Sequence, residues 1–249
     1  MKRLKPIWGT VVNRATVLSM MALAGAMIAL PGGEAQAQAA GATAKPPVYT
    51  PPQRGAPARR VGGSSRGADE ALPNVMLLVP DHVGLTVSET PALYWYLSKP
   101  TSVRVEVTLI DGKGETPLVE YSVTNAKGPE VHRIDLAERK VHLKPDVEYQ
   151  WSIAVVPNPN ERSGDVMAGG ALKRVAMPKA IEARRAAGAS KDELARLYAA
   201  EGIWYDAIAL YSELIVERPK DKALREQRAA LLEQVGLKEV AAFDRSAVQ

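Results

Sequence analysis

The chain has 249 residues, no cysteine, 46% hydrophobic and 24% charged residues, and a formal net charge of +4. Without cysteine there is neither a disulfide framework nor thiol chemistry, so the fold must be held by its own apolar core. Most of the positive charge sits at the front: Lys2, Arg3, Lys5 and Arg14, against Glu34, fall within the first 37 residues, and the 212 residues that follow carry only +1, too close to neutral for an electrostatic case for nucleic-acid binding.

The opening basic residues precede an apolar run over 15–30 and then Pro31, Gly32, Gly33 and the small-x-small string Ala35-Gln36-Ala37. This is the pattern of a secretory signal peptide over residues 1–37, cleaved near Ala37 or Ala39, and it predicts an exported chain of the periplasm or extracellular space. The run is shorter than the roughly 20 residues a membrane span needs. No cysteine follows it, which excludes a lipid anchor.

Residues 38–72 read as a basic, proline- and glycine-rich disordered linker. Lys45, Arg54, Arg59, Arg60 and Arg66 stand there with prolines at 46, 47, 51, 52 and 57 and no acid before Asp69. Such a composition favours an extended arm with no core of its own. The arginines Arg54, Arg59, Arg60 and Arg66 are candidate contacts to an anionic surface, and the arm is the one place where membrane contact is expected; the alternative is a solvated tether. Gly63-Ser64-Ser65-Arg66-Gly67 matches the Gly-x-Ser-x-Gly nucleophile elbow literally, but no hydrophobic strand feeds it and no helix follows it, so a hydrolase acting through Ser65 is disfavoured.

From 73 to 177 short alternating runs recur between turn signals, the pattern of a β-sandwich. Strands are predicted near 75–79, 85–87, 92–97, 102–110, 118–123, 131–136, 149–156 and 169–175. The strongest alternation is in the seventh, where Tyr149, Trp151, Ile153 and Val155 share one face. Upstream of it, Leu143, Pro145 and Tyr149 have the spacing of the tyrosine corner of immunoglobulin-like sandwiches, in which the phenol bonds back to nearby backbone. Tyr94-Trp95-Tyr96 must show aromatic surface on both faces of its strand. With Trp95 inside, Tyr94 and Tyr96 are candidate binding residues for a sugar or a partner peptide, together with the loop 157–164; the alternative is that C-terminal helices cover them. His82, His132 and His142 lack partners at metal-ligand spacing, and no phosphate-binding glycine loop occurs, so no metal and no cofactor are expected.

After Pro178, alanine, leucine and charged residues take over. Ser190-Lys-Asp-Glu193 is a capping box opening a helix that ends near Gly202. A second helix closes at Pro219 and a third covers about 222–235. Leu194, Tyr198, Ala207, Tyr211 and Pro219 fall near the small and large positions of one tetratricopeptide-like repeat, too few repeats for a solenoid.

Several strings carry a resemblance: Arg54-Gly-Ala-Pro-Ala-Arg-Arg-Val-Gly-Gly-Ser-Ser-Arg-Gly67, Gly84 through Tyr94-Trp-Tyr96, Leu143-Lys-Pro through Tyr149-Gln-Trp151, Pro159 through Val166, and Gly202-Ile-Trp-Tyr-Asp-Ala207. In that order they resemble the blocks of the bacterial family catalogued as domain of unknown function 928. The resemblance implies an exported protein with no assigned activity. Cysteines that often occur in that family stand where this chain has Asp69 and Pro157; if they pair in relatives, this chain lacks that staple. The sequence thus predicts an α+β chain: signal peptide 1–37, linker 38–72, immunoglobulin- or fibronectin-like sandwich 73–177 and helical, tetratricopeptide-like tail 178–249. The expected function is that of a non-enzymatic interaction or scaffold module of the cell envelope, meeting an envelope protein or a surface polymer. The alternative is a carbohydrate-binding protein.

Overall fold

The computed structural model describes residues 45–52, 72–112, 114 and 116–247. The strands, in chain order, are β1 (Val75–Leu77), β2 (Gly84–Thr86), β3 (Ala92–Leu97), β4 (Arg104–Asp111), β5 (Pro117–Val123), β6 (Glu130–Asp135), β7 (Glu148–Val156) and β8 (Val166–Arg174). They form a three-stranded sheet in the order β1-β3-β6 and a five-stranded sheet in the order β2-β8-β7-β4-β5. All pairings are antiparallel except that of β2 with β8. Five helices follow: α1 (Lys179–Ala186), α2 (Lys191–Ala200), α3 (Trp204–Glu217), α4 (Lys222–Gln234) and α5 (Lys238–Ser246). The fold class is mixed α+β.

Each predicted strand has a counterpart, because alternation and turn chemistry agree locally. On β7, Tyr149, Trp151, Ile153 and Val155 are all buried, as the period of two requires. The Lys144 amide donates to the Tyr149 hydroxyl at 2.9 Å, which ties the strand to the turn before it. Between β4 and β5 the Gly114 amide donates to the Asp111 carbonyl at 3.0 Å, and Gly114 has φ +68°, the left-handed region that only glycine enters freely.

The helices begin and stop where the caps place them. The Ser190 hydroxyl accepts from the Glu193 amide at 3.2 Å at the start of α2, and Asp221 accepts from the Ala223 amide at 3.0 Å at the start of α4. Gly202, with φ +76°, ends α2, and the Ile203 amide reaches back to the Tyr198 carbonyl at 2.8 Å. α1 and α5 were not expected from the sequence. α1 has a single buried apolar residue, Ile181, and α5 buries Val240, Ala241 and, unusually, Asp244.

The helical part and the sheets are joined at the first turn of α3. Trp204 is fully buried and its indole N–H donates to the Leu78 carbonyl at 2.8 Å. The neighbouring Tyr205 hydroxyl donates to the Ala171 carbonyl and accepts from the Trp151 indole, both at 3.1 Å. A β-carbon on Gly84 would lie 2.6 Å from the Tyr205 ring, so the strand comes this close to α3 only because residue 84 has no side chain.

Two expectations are corrected. Residues 45–52, assigned to a linker unable to join a core, lie against the helices as an ordered extended segment with Pro47 and Tyr49 buried. Tyr94 and Tyr96 do not stand on an outer face: they are 6% and 4% exposed. β3 is the central strand of its sheet, with Trp95 stacked on His132 of β6 and Tyr96 against Phe243 of α5. Both of its faces are therefore covered.

Replacing Tyr205 by phenylalanine keeps the ring and strands two buried groups, the Trp151 N–H and the Ala171 carbonyl. Chemical denaturation of Tyr205→Phe is expected to give a loss of about 2–3 kcal/mol. Sheet and helix signals should fall in one transition.

Candidate functional site

The string Lys45-Pro-Pro-Val-Tyr-Thr-Pro-Pro52 has four prolines in eight residues. Proline fixes its own φ and pushes the residue before it to extended conformations, so this peptide is nearly straight before it binds anything and loses little entropy on docking. Two of its side chains are buried, and Pro52 is half-buried against Gly202. Pro47 and Tyr49 are buried, whereas Val48 between them is 59% exposed and Lys45, Pro46, Thr50 and Pro51 are exposed too.

The backbone of the segment is held as well as its side chains. Gln234, at the end of α4, uses both ends of its amide: Oε1 accepts from the Tyr49 N–H and Nε2 donates to the Pro47 carbonyl, each at 2.9 Å. The Thr50 N–H donates to the Ala199 carbonyl in the last turn of α2 at 3.1 Å. That carbonyl, at the helix end where no amide four residues on can reach it, also accepts from the Gly202 N–H at 3.1 Å. The Arg196 guanidinium donates to the Lys45 carbonyl. A β-carbon on Gly202 would lie 2.8 Å from the Thr50 carbonyl oxygen, so the glycine that ends α2 also makes room for the peptide.

Tyr49 fills a slot between the helices and the β1–β2 connection. Its ring meets Trp204 edge-on, with centroids 4.8 Å apart at 74°, and lies nearly parallel to His82 at 5.9 Å. Its hydroxyl is 2.8 Å from His82 Nε2, and His82 Nδ1 is 3.1 Å from Asp81 Oδ1. A proton on Nδ1 facing Asp81 makes Nε2 the acceptor of the tyrosine O–H. Burial, and then the negative charge of Asp81, push the Tyr49 phenol above its ordinary value. The phenol therefore serves as a neutral donor. With Tyr49 only 7% exposed, this chain of groups anchors the segment and leaves no space for a substrate over it.

Among the described residues, those singled out by sequence do not form a site. Tyr94 lines a cleft of about 600 Å³ with Arg133, Arg225, Arg228, Val216 and Phe243, but its buried ring offers no free face for a sugar. Arg54, Arg59, Arg60, Arg66 and Ser65 lie outside the described residues. The loop 157–164 is exposed, and its Arg162 is tied to Glu106 at 2.8 Å and Asp165 at 2.6 Å. Among the described residues no group of three His, Cys, Asp or Glu is placed to hold a metal, and no helix is long and apolar enough to cross a membrane. Sequence reasoning passed over Tyr49, His82, Trp204 and Gln234 as a set. The available signal was a lone tyrosine flanked by two proline pairs, the nearer proline of each two residues away.

Comparison with known proteins adds a family. The model of the family described as Domain of Unknown Function (DUF928) matches residues 61–244. Among solved structures, a multi-domain immunophilin from Arabidopsis thaliana matches at 10% identity with a TM-score of 0.18, over 66% of this chain and 98% of that one. Comparison with curated proteins finds no match.

One titrating group lies where α3 meets the end of β2. Asp206, in the first turn of α3, accepts from the Val87 N–H at 3.1 Å. Burial pushes its carboxyl up to about 6, against the opposing pull of the Thr86 hydroxyl and the Val87 amide. The folded chain thus holds this proton more tightly than the unfolded chain. The group's contribution favours folding below about pH 4 and is lost as pH rises through about 6. Asp206→Asn is expected to remove that slope between about pH 4 and 6 in urea melts and to be at least as stable as the parent at pH 7; an unchanged pH profile would show that Asp206 is not the group responsible.

Proposed function

The chain belongs to the DUF928 family, and from that premise we propose that it is an exported, non-enzymatic interaction module of the cell envelope whose helical hairpin receives an extended peptide. The observation that carries this reading is the docked segment 45–52. Its main chain is bracketed by a side-chain amide and a helix-end carbonyl, and a single aromatic fills a slot, which is how recognition surfaces hold extended peptides.

The finer architecture follows the same reading. The two sheets are taken as an immunoglobulin- or fibronectin-like sandwich. The order of the strands, the buried Trp151 and the Tyr149 hydroxyl bonded to the Lys144 amide support that assignment. α2 and α3 are taken as one tetratricopeptide-like hairpin, supported by the buried Tyr198, Ala207 and Tyr211 and by Gly202 at the turn. Export rests on the leader-like pattern of residues 1–37. The carbohydrate reading loses its ground, because the two tyrosines it needed are buried.

The test is site-specific photo-crosslinking in the producing cell, with the reactive amino acid placed at the exposed apolar positions Val48, Met167 and Val216. A discrete covalent adduct with one protein, at one or more of these positions, is expected. Absence of adducts from all three surfaces would contradict the interaction reading.

A further inference from the structure

The groove that holds residues 45–52 is built from backbone-reading groups, and this has a consequence for what else can enter it. Gln234 meets the segment at the Pro47 carbonyl and the Tyr49 amide, while also donating to the Ala230 carbonyl of its own helix, and the Ala199 carbonyl meets it at the Thr50 amide; all three are main-chain groups of the segment, so neither contact depends on which chain supplies the backbone. Side-chain selection comes from two positions, Pro47 and Tyr49, while the exposed Val48 is unread. Two further facts set the occupant apart from the groove. His82, Trp204 and Gln234 lie within the stretch matched by the family model, residues 61–244, and the occupant lies outside it. Between Pro52 and Leu72 run 19 further residues, a span that reaches at most about 65 Å when extended. The occupant is thus tethered to the body without being woven into either sheet.

We infer that this groove is a recognition site for a proline-rich peptide containing Pro-x-Tyr, supplied by another protein, and that residues 45–52 are its built-in competitor. The inference deepens the interaction-module reading and rests on it. Occupation in cis lowers the apparent affinity for a partner by the fraction of chains whose groove is open. A partner gains entry either by presenting the same chemistry at high local concentration or after the cis segment has been drawn away.

The test uses the whole chain and a fluorescein-labelled peptide of residues 45–53, Lys-Pro-Pro-Val-Tyr-Thr-Pro-Pro-Gln. Tyr49→Ala, which empties the slot, is expected to bind this peptide saturably and at least tenfold more tightly than the parent chain. Adding Gln234→Ala removes the two backbone bonds and should weaken binding about tenfold. A peptide with serine for the valine should bind within about twofold, and one with alanine for the tyrosine should not bind. Because Tyr49→Ala exposes one edge of Trp204, a second arrangement keeps both surfaces natural: a protease site replacing residues 55–60. After cleavage the N-terminal fragment should leave on dilution and rebind when returned.

Three results overturn the inference: a folded Tyr49→Ala chain that binds no peptide, binding indifferent to Gln234→Ala, or a cleaved fragment that never leaves or whose departure unfolds the body. The last would make residues 45–52 a structural strap. Exchange of segments between two copies would appear as a dimer on size exclusion at high concentration that Tyr49→Ala abolishes; this too overturns the assignment to another protein. Photo-crosslinks at Met167 or Val216 with no peptide binding would leave the interaction reading standing and remove this inference alone.

Discussion

Two adjacent aromatic residues at the start of α3 set the terms for everything around them. Trp204 and Tyr205 are large, fully desolvated and polar at one end, so each must find a partner for that end inside the protein. Trp204 finds the Leu78 carbonyl and Tyr205 finds both Ala171 and Trp151. These bonds fix where the first turn of the helix sits against the strands, and the missing side chain at Gly84 lets it come that close. Burial pushes the Tyr205 phenol upward, so it remains a neutral donor. With Trp204 held in this way, its edge is available as the wall on which Tyr49 packs.

A second constraint closes the other side of the helical part. Arg228 of α4 and Asp244 of α5 form a bidentate pair at 2.8 and 2.5 Å, and Arg228 also donates to the Ser212 hydroxyl of α3 at 2.9 Å. Both charges are removed from water, so breaking the pair by deleting one partner would leave the other uncompensated, even though an apolar replacement of both can be neutral. The consequence is positional. α5 is held where Phe243 covers Tyr96, and the end of α4 is held where Gln234 meets the docked segment.

Much of this was legible in the sequence wherever one physical signal dominated. All eight strands could be placed because period-two alternation and glycine or proline punctuation coincided, and β7 could be given its buried face residue by residue. α2 and α3 were marked by Ser190, Gly202 and Pro219. α1 was hidden because it buries only Ile181, and α5 because an aspartate occupies one of its buried positions, which a hydropathy pattern reads as surface. For the tyrosines of β3 the sequence left binding and cover by the C-terminal helices as alternatives, because a strand alone does not reveal what covers its second face; Phe243 of α5 against Tyr96 realises the second. The groove was the least legible feature. Its residues come from three distant stretches, and its occupant has two anchors in a composition that otherwise signals a solvated arm.

The central claim is that residues 45–52 are docked specifically yet open locally, without the rest of the chain unfolding. Amide hydrogen exchange resolved at Tyr49 and Thr50 tests it most directly, since those N–H groups meet Gln234 and Ala199. The account predicts measurable protection at both, with an opening free energy well below that of the Trp151 and Ile153 amides in β7. Exchange at the rate of an unstructured peptide would show that the groove does not hold the segment. Protection equal to that of β7 would show that it never lets go.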